Sequence, residues 1–175
     1  MGCFEKSADG TELRQGEILT GVTQFDYDSK SETALSSAQP YVIIVNQDCD
    51  LLRDFENVRD GKPNELNGVL FLPLLTETDI RGRQAINTSI WREIKSHRHE
   101  RYHLLPEILL EQDALRMGIP VLVADFRQMF TQPPAEVAQQ IVQDSAHRRG
   151  RLISPYREHF QSRCSFYLQR VALPD

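Results

Sequence analysis

Gln39-Pro40-Tyr41-Val42-Ile43-Ile44-Val45-Asn46-Gln47-Asp48-Cys49-Asp50 is the stretch on which the fold turns. Tyr41 to Val45 is apolar at every position and rich in β-branched residues. A strand that alternates polar and apolar residues has one solvated face; one that does not is buried on both. This segment therefore reads as a central strand, and Pro40 can precede it because the first residue need not donate to the ladder. Val69 to Leu75 and Pro120 to Ala124 repeat the pattern and read as two more core strands. Upstream, a turn at Asp9-Gly10 leads into Gly16 to Phe25, where Ile18, Leu19, Val22 and Phe25 make an imperfect first strand. Residues 28 to 39 are polar and small, which predicts an exposed loop. Leu51 to Asn67 is charged and closes on the turn formers Asp60-Gly61 and Pro63-Asn64.

Helical spacing appears in three places. From about 79 to 95, Ile80, Ile86, Ile90 and Ile94 recur on one face, with Asp79 available as a cap. Pro134 opens a helix that runs to Gln143, and Ser154-Pro155 offers a cap followed by a first-turn proline. Beyond it, Tyr156, Phe160, Cys164, Tyr167 and Val171 form an apolar stripe suited to a core or a dimer interface. Several strands with few helices and no regular βαβ alternation indicate α+β, built on a small, strongly curved, mostly antiparallel sheet. A length of 175 residues fits one domain, 1–175, with a polar insertion at 28–39 and a helical one at about 79–95.

The 40% apolar content excludes wholesale disorder, and no apolar run approaches the roughly 20 residues a bilayer span needs, which predicts a protein without membrane attachment. Cys3, Cys49 and Cys164 are an odd number without paired spacing, which suits reduced thiols and a cytoplasmic location. The net charge of −5 is uneven: residues 1 to 90 hold 8 basic and 15 acidic groups, residues 91 to 175 hold 12 basic and 10 acidic groups and all five histidines. Arginine outnumbers lysine 16 to 4, and a guanidinium reads phosphate or carboxylate through paired hydrogen bonds. Any contact with RNA phosphates is thus expected from the second half.

The order of these segments resembles the PemK/MazF-like growth-inhibitor toxins, which have a small SH3-like β-barrel. Arg14-Gln15-Gly16-Glu17-Ile18-Leu19 resembles the family's opening strand, and Gln39 to Val45 resembles its Arg-Pro-Val-Val-Val strand. Val69 to Thr78, with Pro73 and Thr76, is similar to the strand that enters the family's threonine-bearing site. Val121 to Thr131 resembles a later strand and turn, and Gly150 to Ser154 the approach to the C-terminal helix. The resemblance implies an SH3-like barrel with peripheral helices, in a bacterial toxin–antitoxin, stress or phage-defence module. It implies a metal-free endoribonuclease needing no cofactor, acting as a homodimer and restrained by an antitoxin or another protein. Carried onto this sequence, Thr76 would orient the sugar hydroxyl, Arg101 or Arg14 would stabilise phosphate charge, and His103 would serve as general acid or base. At the family's arginine position stands Gln39, which has no charge. Gln47-Asp48-Cys49-Asp50 also resembles a sequence found after an apolar strand in uncharacterised bacterial proteins.

Three chemistries follow from the residues. Arg98, Arg101, Tyr102 and His103 combine guanidinium groups with rings that stack on unpaired bases, and Arg148, Arg149 and Arg151 make a second basic patch. Gln47, Asp48, Cys49 and Asp50, at a strand end, suit recognition of a protein or small ligand without catalysis. A cysteine or metal enzyme would instead need Cys49 to meet His97, His99 or His103, and the flanking carboxylates disfavour its thiolate unless such a partner is supplied.

Overall fold

A computed structural model describes residues 2–169. The chain folds as α+β, a strongly curled antiparallel half-barrel sheet with five helices among the described residues. Its strands are β1 (Phe4–Lys6), β2 (Glu17–Thr20), β5 (Val42–Ile44), β6 (Val69–Thr76), β7 (Tyr102–Leu105), β8 (Leu122–Asp125), β9 (Phe130–Gln132) and β10 (His147–Leu152), and β3 (Val22–Asp28) and β4 (Thr33–Gln39) form a separate hairpin. In space the sheet runs β1-β10-β2-β5-β6-β8-β7, with β9 also on β6.

The quoted segment sits where its composition places it. Val42 and Ile44 enter one apolar cluster with Leu19, Phe71 and Val137, while Ile43 and Val45 enter another with Ile18, Leu72, Phe126 and Phe160. β6 is the other central strand, and its Pro73 is tolerated for a definite reason. Leu74 donates to the Tyr41 carbonyl, so the Pro73 nitrogen faces the opposite edge. On that edge β9 pairs as far as Phe71 and β8 begins at Leu74, so the missing donor falls in the gap. Asn46 extends the ladder with its side chain, accepting from Leu70 and donating to the Gly68 carbonyl.

Several expectations are corrected. The single first strand is two, β2 and β3, broken at Gly21, whose φ is +78° and where any Cβ would stand 2.4 Å from the Ser145 carbonyl. Residues 28–39 are not a loop: 33–39 form β4, exposed along nearly its whole length, paired with β3 in register from Val22↔Gln39 to Asp28↔Thr33. Small polar residues hid a strand that buries no face. Charged residues 51–59 belong to helix α1 (Asp48–Arg59), so Gln47 to Asp50, which follow the apolar strand, are the start of a helix. Asp48 and Asp50 in its first turn and Arg59 in its last complement the helix dipole.

The isoleucine helix is split into α2 (Glu77–Arg81) and α3 (Thr88–Lys95). The stripe survives, because Ile80 and Ile94 are buried with Trp91, Tyr102 and Val123, and Ile86 and Ile90 pack against them. Thr76, not Asp79, is the N-cap of α2, with Asp79 completing a capping box. Helix α4 (Pro134–Val142) follows expectation. Helix α5 (Tyr156–Leu168) has Pro155 rather than Ser154 at its N-cap; Phe160 and Cys164 are buried and Tyr167 packs against them, while Tyr156 is exposed and Val171 lies outside the described residues.

Strand β10 carries the basic patch Arg148, Arg149 and Arg151, and the fold consumes it. Arg148 forms a two-pronged pair with fully buried Glu17, at 2.7 and 2.9 Å. Arg149 does the same with fully buried Asp113, at 2.7 and 2.6 Å. Asp113 also accepts from the amides of Leu115, Met117 and Gly118, which ties down the loop between β7 and β8. Burial would raise its carboxyl, but Arg149 and these amides prevail and hold it at about 2. Removing one partner of such a pair strands the other charge. Asp113→Ala is expected to cost roughly 3–5 kcal/mol in urea unfolding, and Asp113→Leu with Arg149→Met to recover most of it; an unchanged midpoint for Asp113→Ala would show that the pair does not hold the loop.

Candidate functional site

A cleft of about 460 Å³ lies between the β3–β4 hairpin and the C-terminal end of β6. Gln24, Asp26, Ser37 and Gln39 face it from the hairpin, Thr76 and Asp79 from the start of α2, and Tyr41, Met129 and Phe130 supply apolar wall. Alternation explains the hairpin's share. Residues opposite one another in an antiparallel pair share a face, so Gln24 and Asp26 lie with Ser37 and Leu35, and Phe25 and Tyr27 lie on the other side with Ser36 and Ala34.

Thr76 and Gln39, far apart in sequence, thus line one cleft. The Thr76 hydroxyl is engaged twice, donating to Asp79 Oδ2 at 2.7 Å and accepting from the Asp79 amide at 3.2 Å. Gln39 donates to Gln24 Oε1 at 2.9 Å. Asp26 and Asp79 are the carboxylates of the lining, which among the described residues holds no lysine, arginine or histidine.

The other expected site residues are elsewhere. Arg14 is paired to Asp48 and Glu12, each at 3.1 Å. Arg101 grips fully buried Asp125 at 2.7 and 2.5 Å and lies over the Tyr102 ring. Arg83 joins the same carboxylate at 3.0 Å. Tyr102 is buried, so its ring has no open face for a base, and exposed Arg98 bonds to Ser96. The stacking surface expected from Arg98, Arg101, Tyr102 and His103 is therefore not assembled.

Asp48 is the hub of a second arginine group. Its carboxylate accepts from the Gln15 amide at 2.8 Å, Arg14 at 3.1 Å, Arg151 at 2.5 Å and Arg157 at 3.4 Å. Burial opposes its ionisation, but these donors outweigh that and lower its pKa. One carboxylate thereby joins the start of α1, the approach to β2, strand β10 and helix α5. Cys49 is exposed, with its Sγ near Gln47 Oε1 and Asp50 Oδ1, both at 3.6 Å, and has no imidazole among its contacts.

His103 faces inward onto Phe126 and Phe160 and meets His97 and His159, with the three imidazole centroids 4.6, 5.3 and 5.4 Å apart. Arg163 braces this knot by donating to the carbonyls of His97, His99 and Tyr102. Burial, then the neighbouring His97 and Arg163, push His103 down to about 2, so it is neutral at physiological pH. Sequence gave no sign of His159, 56 positions away, because only the packing of α5 on β7 brings it there. Among the described residues no three His, Cys, Asp or Glu side chains are arranged to hold a metal ion. Asp48, Thr76 and His103 therefore occupy three separate neighbourhoods with different partners.

Comparison with known proteins adds no relative. No family model, no curated protein and no solved structure matches the chain. The PemK/MazF-like resemblance rests on the motifs alone.

A histidine whose folded pKa is depressed costs stability as pH falls below its unfolded value near 6.5, because the unfolded chain takes up a proton that the folded one refuses. His103 alone is expected to contribute a slope approaching about 1.4 kcal/mol per pH unit toward about pH 5, and His97, also depressed, adds to it. His103→Phe should flatten the slope in denaturation curves taken at several pH values; an unaltered slope would show that the ring titrates normally. Asp48→Ala is expected to lower stability by roughly 1.5–3 kcal/mol, the range for hydrogen bonds to a charged group. An unmoved unfolding midpoint would return Asp48 to a purely ligand-binding role.

Proposed function

We propose that this protein is a non-catalytic binding module on a PemK/MazF-like barrel, and that its recognition site is the cleft beneath the hairpin. The observation that carries the reading is the cleft's charge: among the described residues its charged lining is Asp26 and Asp79. A phosphate entering there meets two carboxylates and no cation, whereas transfer at phosphorus depends on groups that neutralise developing negative charge. Arg14 and Arg101, the candidates to replace the family arginine, are each bound to a carboxylate of the scaffold. The glutamines supply directional hydrogen bonds, and Tyr41, Met129 and Phe130 supply contact area, the usual division of labour in a binding site. This moves the recognition role from Gln47–Asp50 to the hairpin and α2, since Asp48 is occupied internally.

Incubated with a mixed RNA pool, with and without divalent ions, the wild-type protein is expected to leave the RNA intact and to retain little of it at physiological salt. Gln39→Arg, which places a guanidinium at the family position, is expected to raise RNA retention several-fold. Cleavage by the wild type that Thr76→Val abolishes and Thr76→Ser preserves would replace this reading with a divergent endoribonuclease.

A further inference from the structure

Strand β4 is the open edge of the hairpin, and the backbone groups it presents can be identified. Thr23 donates its N–H to Gln140 Oε1 at 2.8 Å, and its carbonyl accepts from Gln132 Nε2 at 2.6 Å. Its backbone is therefore turned away from β4. In an antiparallel pair both groups of a residue point the same way and alternate along the strand. The unbroken register from Val22↔Gln39 to Asp28↔Thr33 then turns the N–H and C=O of Ala38, Ser36 and Ala34 outward on β4. On the β3 side, buried Gln132 and Gln140 cover the edge at Thr23. On the β4 side no strand pairs with that edge among the described residues.

Exposed edges are ordinarily defended by charged residues, proline or a bulge. Thr33-Ala34-Leu35-Ser36-Ser37-Ala38-Gln39 has no charge and no proline, and its register is regular. Alanine and serine at the outward positions let another backbone approach to strand spacing, about 4.8 Å. The same strand turns Ser37 and Gln39 toward the cleft, so a strand added beside it would send every second side chain to that face. What waits there is Asp26 and Asp79, neither of which is in an ion pair among the described residues. A second copy of the hairpin lacks the complementary charge, since its β4 carries no lysine or arginine to offer Asp26 and Asp79.

We propose that the β4 edge takes up an extended, basic peptide segment of a partner protein as a third strand, with alternate lysine or arginine side chains reaching Asp26 and Asp79. The inference rests on the binding-module reading and narrows it to one class of ligand. Main-chain hydrogen bonds to Ala34, Ser36 and Ala38 supply affinity independent of sequence, and the acidic cleft supplies the preference for charge, as in strand-addition complexes generally.

The test is a displayed library of random nine-residue peptides selected on the full-length protein. Enriched peptides should carry Lys or Arg at alternate positions and lack a central proline. The affinity of a winning peptide should fall about tenfold in the Asp26→Asn/Asp79→Asn double variant, as two exposed ion pairs predict. Binding should disappear when alternate residues of the peptide are N-methylated, a change that leaves the protein untouched. Ser36→Pro, which removes an outward N–H without touching the β3–β4 ladder, should weaken binding, and the amides of Ala34, Ser36 and Ala38 should gain exchange protection in the complex. Enrichment of acidic or uncharged peptides, or of none, would overturn the proposal. Basic peptides that perturb Gln24 and Gln39 yet bind equally when N-methylated would overturn strand addition and leave the cleft reading intact, while RNA cleavage in the assay above would overturn the cleft reading itself.

Discussion

Strand β10 carries Arg148, Arg149 and Arg151 within four positions, and each is committed to a carboxylate from a different part of the chain: Glu17 on β2, Asp113 in the loop between β7 and β8, and Asp48 at the start of α1. The rest of the molecule depends on these pairs. β10 lies between β1 and β2, and the pairs tie it to β2, to α1 and to an otherwise irregular loop. Taking such charges out of water costs several kcal/mol apiece unless geometry and hydrogen bonding are good. Both requirements are met by two-pronged contacts at 2.6–2.9 Å for Arg148 and Arg149.

This internal use of arginine removes much of the basic surface that the composition suggests. An arginine-rich second half suggests an anion-binding face, yet Arg101, Arg148, Arg149 and Arg151 are all spent on acidic partners. The cleft that brings Gln39 to Thr76 is left with aspartates. Charge balance along the sequence therefore says little about charge at a site, because pairing in space cancels what composition displays.

Core strands were legible because burial on both faces leaves a mark in the residues themselves, as in Tyr41 to Val45 and Val69 to Leu75. The isoleucine stripe was legible for the same reason, although its division into α2 and α3 was not. Strand β4 and helix α1 escaped because they bury little: residues 33–39 are exposed almost throughout, and of α1 only Leu51 and Asp54 are buried. Such elements are held by ladder bonds and by the ion pairs at Asp48, neither of which imposes a hydrophobic period.

By itself the sequence determined the α+β class and the central strands, since these depend on local periodicity. Tertiary structure alone decided that His103 meets His97 and His159 in a buried knot, that Asp48 is a structural hub, and that the hairpin leaves an undefended edge above an acidic cleft. The physical reason is that each of these is a relation between groups on different segments, most of them tens of residues apart in the chain. Charge pairing and strand adjacency are set by proximity in space, and proximity is not written in the composition of any one segment.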